Sequence, residues 1–324
     1  MRRSVTVALV TIVLCYLAIC AAVWAFQEHL VYFPDKDVPP PAMQGLQGTE
    51  SLDLAADDGS RVHAWFQPAR GANAAPRALV VLFHGNAGNL SHRGWKLDLL
   101  AKAGFASVVF DYRGYGKSGP GPITEAGLCQ DGLAAARWAF SRARGSGGAP
   151  NPERAATGTG EALATVPAGG SEMGAAPGVG PGAAPGSTPA LPVLFWGESL
   201  GCAIAVETAR TLTPTGMLLE APFTALADVG AVHYGWLPVR LLTRPRYDNL
   251  SKVKALPASL PLAVLHGEAD RTIPCAQGKA LHDASPALRK RLLLVPAADH
   301  NEAVYFDRKP LLDGLAFLLE SSAP

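Results

Sequence analysis

The pattern of apolar and polar residues differs between segments of this 324-residue chain. An unbroken apolar run occupies the N-terminus, and further on SLDLAADDGSRVHAWFQPA alternates apolar with polar residues. Because that alternation flanks a turn-rich ADDGS, it predicts an antiparallel hairpin. Beyond the hairpin the alternation gives way to short stretches that are apolar throughout.

These short apolar stretches are typical of strands buried on both faces. Helical patterns separate most of them, with predicted starts near Trp95, Thr124, Leu200, Cys275 and Asn301. The alternation of strand and helix predicts an α/β fold with a mainly parallel sheet covered by helices. The predicted strands are ALVVLFHG, FASVVFDY, PVLFWGES, GMLLEAP, LAVLHGEAD and RLLLVPAADH.

The N-terminal run has no charged residue from Ser4 to Gln27. As a helix it is roughly 30 Å long or more, which is enough for a bilayer core. We predict an uncleaved membrane anchor at residues 1–29. A cleaved signal peptide is the alternative, and LAIC before Ala21 invites a lipoprotein interpretation. Isoleucine before Cys20 fits such processing poorly, and no clear A-x-A site is present.

Charges at the two ends of the anchor predict its orientation. Arg2 and Arg3 precede the apolar run, and Glu28 follows it. Because positive residues favour the cytoplasmic side, the N-terminus is predicted to be cytoplasmic. The rest of a single-pass protein then lies on the outer side of the membrane, which is periplasmic if the protein is bacterial.

A second unusual segment spans residues 155–190. It is rich in glycine, alanine and proline and has almost no large apolar side chain. Such a composition buries too little surface to offset the cost of ordering, so we predict disorder. The anchor is therefore followed by one domain at 30–324 that this insert interrupts.

Composition narrows the function. The formal net charge is +1 and no dense lysine or arginine cluster occurs, so no nucleic-acid partner is predicted. The five cysteines show neither a CxxC nor a paired-ligand spacing. We therefore predict no metal site, no disulfide scaffold and no cofactor.

The stretch GESLG places Ser199 between Gly197 and Gly201, where a predicted strand meets a predicted helix. A sharp strand-to-helix turn crowds its neighbours, and glycine removes the clashing side chains. This pattern predicts a nucleophilic serine. Such a serine needs a base and a carboxylate, and His300 and Asp270 each follow a predicted strand. We predict a Ser199, His300 and Asp270 triad.

Acyl transfer also needs donors for the oxyanion. One is the backbone N–H of the residue after the nucleophile, Leu200. The second is predicted in the loop HGNAGN after the first predicted parallel strand, at the backbone N–H of Asn86.

The motifs HGNAGN, DYRGYGKSGP, GESLG, HGEADRTIP and DHN together resemble the alpha/beta-hydrolase domain proteins. The resemblance is strongest to the membrane-anchored branch with monoacylglycerol lipases and protein depalmitoylases, which HLVYFP after the anchor also resembles. It implies an alpha/beta-hydrolase fold after an N-terminal transmembrane helix. It further implies Ser199 as nucleophile, Asp270 as acid, His300 as base, and Asn86 with Leu200 as oxyanion donors.

The expected activity is hydrolysis of carboxylic esters or thioesters through an acyl-enzyme. An acyltransferase with the same acyl-enzyme and an anchored interaction protein without turnover remain the alternatives. The expected substrate is a small acyl ester, a lipid or a thioester. An apolar segment after GMLLEAP is predicted either to line an acyl pocket or to serve only for packing. Its candidate acyl-binding residues are Tyr234, Trp236, Leu237 and Leu241.

Overall fold

The computed structural model of the protein describes residues 2–71, 75–145, 191–304 and 307–320. The insert predicted at 155–190 lies outside the described residues. Its predicted disorder therefore stays a prediction.

The described residues form one large sheet and one short strand pair. The strands are β1 (Phe33–Pro34), β2 (Glu50–Ala55), β3 (Arg61–Gln67), β4 (Leu79–Phe83), β5 (Ala87–Gly88), β6 (Ala106–Phe110), β7 (Val193–Glu198), β8 (Gly216–Glu220), β9 (Leu262–Gly267) and β10 (Lys290–Val295). The large sheet has the order β10-β9-β8-β7-β4-β6-β3-β2, while β1 pairs with β5.

Both predictions for the sheet are confirmed. The six predicted apolar strands are β4 and β6 to β10, and neighbouring members of this set pair in parallel. The predicted hairpin is β2 and β3, which pair antiparallel at the edge of the sheet. The carboxyl ends of the parallel strands therefore meet at one edge, where open sheets of this kind bind ligands.

The helices cover both faces of the sheet and extend before it. They are α1 (Arg2–Val31), α2 (Gly94–Lys102), α3 (Glu125–Ala143), α4 (Leu200–Thr211), α5 (Leu226–His233), α6 (Val239–Leu242), α7 (Asn249–Lys254), α8 (Cys275–Ala284) and α9 (Lys309–Leu319). Four of the five predicted starts agree with the starts of α2, α3, α4 and α8.

The helix start predicted near Asn301 is wrong. Residues 301–304 form a turn, and α9 begins only at Lys309, with proline at its start. The buried face of α9 carries Leu311, Leu315 and Leu318, whose helical spacing begins after that proline. Residues 301–304 instead lie in a loop at the carboxyl edge of the sheet.

Successive residues of the parallel strands point to two separate cores, as the pleat of a strand requires. Val81 and Phe195 belong to the core beneath α3 and α4. Val80 and Leu194, one residue earlier in each strand, belong to the core beneath α2 and α9. The sheet is thus packed between two helical layers, which fix the positions of the residues at its carboxyl edge.

Helix α1 is long and apolar enough to cross a membrane, judged by length and composition. It ends two residues beyond the boundary predicted at residue 29. Its C-terminal half contacts the segment that carries α5 and α6, which we call the cap (residues 226–243). The cap connects β8 to β9 and lies over the carboxyl edge of the sheet.

Candidate active site

Ser199 sits at a sharp turn between β7 and α4. Its φ of 50° and ψ of −114° lie in a region that non-glycine residues rarely adopt. A Cβ on Gly197 would lie 2.6 Å from the Cα of Cys202, and one on Gly201 would lie 2.0 Å from the carbonyl oxygen of Phe83. Both glycines are therefore required by close backbone approach, which is the physical reason for the G-x-S-x-G pattern.

A continuous chain of hydrogen bonds joins three of the predicted residues. Nε2 of His300 lies 3.1 Å from Oγ of Ser199, and Nδ1 of His300 lies 2.7 Å from Oδ2 of Asp270. Because a carboxylate only accepts, Nδ1 carries a proton and Nε2 is free to accept one from the serine. The arrangement has the geometry that a serine nucleophile needs from its base and orienting acid.

The carboxylate of Asp270 is held by more donors than His300 alone. Its Oδ1 accepts hydrogen bonds from the backbone N–H groups of Thr272, at 2.9 Å, and Ile273, at 2.7 Å. Nε2 of the buried His266 lies 3.2 Å from Oδ2. Burial alone raises the pKa of Asp270, but these donors and His300 outweigh burial and hold the pKa well below its usual range.

Asp299, next to His300 in sequence, is a second carboxylate near the histidine. Its Oδ1 accepts from the backbone N–H of His300, at 2.8 Å, and of Arg271, at 2.9 Å. Its Oδ2 forms an ion pair with the guanidinium of Arg271. The carboxylate thus stabilises the loop backbone, whereas the His300 ring is bonded to Asp270.

The loop after β4 brings Asn86 beside Ser199. Nδ1 of His84 donates a hydrogen bond to the carbonyl oxygen of Gly85, at 2.7 Å. That carbonyl shares a planar trans peptide with the Asn86 N–H, so the N–H is directed away from His84. Complete burial lowers the pKa of His84 to about 3, so its ring is neutral. The loop is positioned by a histidine that we did not assign from the sequence.

Tyr115 fixes the same loop from its other end. Its hydroxyl donates a hydrogen bond of 2.8 Å to the carbonyl oxygen of Asn86. Among the described residues, no backbone hydrogen bond is donated by the N–H of Asn86 or by that of Leu200 at the start of α4. Two N–H groups that border Ser199 are therefore free to bind an oxyanion. Tyr115 belongs to the motif DYRGYGKSGP, and nothing local in the sequence predicts its contact with Asn86.

Solved structures show what this fold is similar to. The Pyrococcus furiosus esterase Pf2001 superposes with a TM-score of 0.61 over 89% of this chain and 96% of its own, at 14% identity. A soluble variant of the Saccharomyces cerevisiae monoglyceride lipase superposes with a TM-score of 0.56 over 85% of this chain and 96% of its own, at 17% identity. At such identities the likeness shows the fold.

Relatives in sequence show the family. An uncharacterised protein of Mycobacterium tuberculosis is 30% identical over 301 residues, which are 93% of this chain and 90% of the relative. The lysophosphatidylserine lipase ABHD12 of Macaca fascicularis is 25% identical over 287 residues, which are 78% of this chain and 60% of that enzyme. The chain belongs to the alpha/beta-hydrolase family. No family model matches it.

Family membership confirms the predicted fold class and the predicted hydrolase class. The roles of the individual site residues in this hydrolase rest on the geometry and stay proposals. Within the ranges that the structure describes, no group of three or more histidine, cysteine, aspartate or glutamate side chains is arranged to hold a metal ion.

An apolar cavity of about 480 Å³ opens beside Ser199 of this hydrolase. Its lining includes Leu226 and Val229 of the cap, together with Tyr234 and Leu237, two of the four residues predicted for acyl binding. Residues of α1 also line it. Apolar cavities of this size are typical of small-molecule sites.

The other two predicted acyl-binding residues, Trp236 and Leu241, do not line this cavity. Trp236 is 59% exposed and Leu241 is 85% exposed. Trp236 lies on the outer side of the turn between α5 and α6, with its ring 6.5 Å from the ring of Tyr16 in α1. Leu241 is in the single turn of α6, whose other face, with Val239 and Leu242, lines the cavity. The apolar character of the segment does not distinguish these two faces.

A second cavity of about 440 Å³ also borders Ser199, and its lining is polar and charged. Nζ of Lys96 lies 2.5 Å from Glu198 and 2.8 Å from Glu220, while Nε of Arg93 lies 3.1 Å from Glu198. Two cations thus balance two buried carboxylates. Burial opposes the charge on Glu198, but Lys96 and Arg93 outweigh it and lower its pKa to about 2. Burial beside Glu198 raises the pKa of Glu220.

This charged cavity was not predicted from the sequence. Two apolar strands, β7 and β8, each end in a glutamate that is buried. Because a buried carboxylate requires a cationic partner, these glutamates could have indicated a charged cavity at this edge of the sheet. Arg93 also lies close to the serine. A Cβ built on Gly85 would be 3.4 Å from Nη2 of Arg93 and 3.6 Å from Cβ of Ser199.

Proposed function

We propose that this protein is a serine hydrolase that cleaves carboxylic esters through an acyl-enzyme on Ser199. The observation that carries the proposal is the hydrogen-bonded series from Ser199 through His300 to Asp270, with hydrogen bonds of 3.1 and 2.7 Å. It stands at the border of two cavities of opposite character, one apolar and one charged.

In the proposed mechanism, Oγ of Ser199 attacks the ester carbonyl carbon while Nε2 of His300 takes the hydroxyl proton. The charge on the carbonyl oxygen is stabilised by the N–H groups of Asn86 and Leu200. Asp270 stabilises the imidazolium through Nδ1. The leaving alcohol takes the proton from Nε2 as the ester bond breaks, which leaves the acyl group on the serine.

Water completes the cycle. His300 removes a proton from a water molecule that attacks the acyl carbon, and a second tetrahedral intermediate forms in the same oxyanion site. Its collapse releases the carboxylic acid and returns the proton to Oγ of Ser199. A thioester substrate differs only in its leaving group, so comparison of matched oxygen and sulfur esters separates the two substrate types.

The two cavities suggest the substrate class. We propose that the apolar cavity takes one acyl chain and that the charged cavity takes a polar alcohol portion near Arg93. A lipid with one acyl chain and a polar headgroup has this division. Two names agree with it, that of a relative in sequence, the lysophosphatidylserine lipase, and that of a protein with a similar fold, the yeast monoglyceride lipase.

We also propose that residues 1–29 anchor the protein and that residues 30–324 are the catalytic domain, interrupted by the 155–190 insert. Arg2 and Arg3 before the span favour a cytoplasmic N-terminus and a domain on the outer side, periplasmic in a bacterium. Protease added to spheroplasts should digest the domain. Complete protection of the domain would reverse this topology.

The test of the function is ester turnover by the Ser199→Ala variant. We expect p-nitrophenyl butyrate hydrolysis to fall by about 10⁴ to 10⁶, as in other triads, with the fold intact by circular dichroism. Retention of most of the activity would refute the mechanism. Adding an alcohol acceptor separates hydrolysis from acyl transfer, because an acyltransferase forms mainly the new ester.

A further inference from the structure

The C-terminal half of α1 is built into the substrate site. Val23, Gln27, Leu30 and Val31 all border the apolar cavity that contains Ser199. Their successive spacings of four, three and one residues place them on one face of the helix. Membrane anchoring alone does not require that one face of the helix line the catalytic cavity.

Gln27 secures this face to the cap. It is 5% exposed, and it is a polar residue at the end of a long apolar run. Its Oε1 accepts from the backbone N–H of Arg244 at 2.7 Å, and its Nε2 donates to the carbonyl oxygens of Trp24 at 2.8 Å and Leu242 at 3.2 Å. A buried amide without partners costs several kcal/mol, so these bonds favour one fixed arrangement of helix and cap.

Two more contacts extend the same junction along α1. The Arg244 guanidinium donates to the carbonyl oxygen of Trp24 at 2.8 Å and lies 4.5 Å from the centre of its ring. Further toward the N-terminus, the hydroxyl of Tyr16 donates to the carbonyl oxygen of Trp236 at 3.0 Å. The cap therefore follows α1 from residue 27 back to residue 16, within the apolar run.

This junction fixes the depth of the cap relative to a bilayer. The 30 residues of α1 extend about 45 Å, and the hydrocarbon core of a bilayer takes about 30 Å, or about 20 residues. With Arg2 and Arg3 at the far interface, the core extends to about residue 23. The tip of the cap, which touches Tyr16, then lies at the depth of the near leaflet.

Much of the exposed surface of the cap is apolar or aromatic, which suits this depth. Val232, Tyr234, Trp236 and Leu241 are each more than half exposed. Tryptophan and tyrosine are enriched at the membrane interface, and an apolar surface there is buried in lipid instead of being left in water. We call these four residues the cap patch. The patch and the apolar cavity lie on the same cap segment.

We propose that α1 and the cap form a membrane-side acyl-binding site, which an acyl chain enters directly from the leaflet, with Val23 and Leu30 as one wall. The inference rests on the proposed ester hydrolysis and adds the anchor helix as a determinant of chain-length specificity. The acyl chain fills the cavity, and the cap patch contacts the lipids of the leaflet.

The first experiment places a larger side chain in the α1 wall of the cavity. In full-length protein in phosphatidylcholine nanodiscs, Val23→Trp should lower the decanoate-to-acetate ratio of kcat/KM for p-nitrophenyl esters by at least about tenfold, since each displaced methylene is worth about fourfold. Val13→Trp is the matched control, because Val13 is an exposed valine of the same helix that does not line the cavity. It should leave the ratio at the wild-type value.

Two outcomes would overturn the inference while the proposed function stands. One is a decanoate-to-acetate ratio in Val23→Trp equal to that of Val13→Trp. The other is an equal loss for both esters in Val23→Trp, which would make α1 a support of the fold instead of an acyl wall. Absence of Ser199-dependent hydrolysis of either ester in the wild type would refute the proposed function, and the inference with it.

The second experiment tests the leaflet. Leu241→Asp is compared with Leu288→Asp, because the two leucines are 85% and 84% exposed and Leu288 lies outside the cap. With p-nitrophenyl decanoate embedded in the nanodisc, only Leu241→Asp should reduce turnover, by about fivefold or more relative to its acetate rate. Equal effects of the two substitutions would overturn the leaflet contact. So would a change of oligomeric state in Leu241→Asp alone, which would assign the cap patch to a second copy of the chain.

Discussion

Replacement of Asp270 by asparagine keeps the shape of the side chain and removes its charge. Oδ1 accepts from the backbone N–H groups of Thr272 and Ile273, at 2.9 and 2.7 Å, and these donors cannot become acceptors. The amide oxygen must therefore take the Oδ1 position, and the amide NH₂ takes the place of Oδ2 beside Nδ1 of His300. Two donors cannot face each other, so Nδ1 loses its proton and Nε2 acquires one. The ring then cannot accept the proton of Ser199.

The size of the effect follows from this change of tautomer. In a serine triad the wrong tautomer lowers kcat by about 10⁴, which is about 5.5 kcal/mol of transition-state stabilisation. We expect kcat for p-nitrophenyl butyrate to fall by this factor in Asp270→Asn. KM should stay within about threefold, because the substitution touches neither cavity wall that binds the ester.

Asp299→Asn is the matched control. Asp299 carries the neighbouring carboxylate, which accepts hydrogen bonds from the backbone of His300 and from the backbone and side chain of Arg271. Its replacement should change kcat by less than about tenfold. Asp270 is not the orienting acid if Asp299→Asn removes activity while Asp270→Asn keeps more than about a tenth of it, with both variants folded by circular dichroism.

Three further predictions concern the oxyanion loop, the elbow and the response to acid. Tyr115→Phe removes the hydroxyl that fixes the carbonyl of Asn86, so kcat should fall by about tenfold with KM nearly unchanged. An effect on KM alone would contradict this role. Gly201→Ala places a methyl group 2.0 Å from the carbonyl oxygen of Phe83. Urea denaturation should therefore show a free energy of unfolding lower by about 3 kcal/mol. A wild-type denaturation midpoint would disprove the required close approach. The pKa of Asp270 is lowered in the folded state, so the unfolded chain binds more protons in acid and the stabilisation from this carboxylate is lost as pH falls below about 4. The difference in urea stability between wild type and Asp270→Asn should therefore shrink from pH 6 to pH 3.5, and a difference that grows would contradict the assignment.

The sequence predicted the parallel sheet because strands buried on both faces show as short apolar runs, which local composition reveals. It also predicted which residues meet at the carboxyl edge, since the ends of parallel strands share that edge. Ser199, Asp270 and His300 each follow such a strand, and hydrogen bonds join all three.

The remaining features depend on contacts between distant segments. The hydroxyl of Tyr115 acts on the site by donating to the carbonyl oxygen of Asn86, which lies 29 residues earlier and which no periodic pattern connects with it. The helix start expected near Asn301 was wrong because the polar loop resembles a helical start, whereas the apolar helical spacing begins only after the proline of α9. Trp236 and Leu241 lie outside the cavity lining, and the sequence could not show this because composition cannot distinguish the inner from the outer face of the cap.

The most direct test of the central claim is labelling of the intact full-length protein with a fluorophosphonate, which reacts with a serine only when that serine is activated as a nucleophile. We predict one adduct with loss of fluoride, located on Ser199 by peptide mass spectrometry. We predict no adduct in Ser199→Ala and strongly slowed labelling in Asp270→Asn. Labelling of another residue, or equal labelling of Ser199→Ala and wild type, would contradict the claim that Ser199, His300 and Asp270 form the catalytic centre.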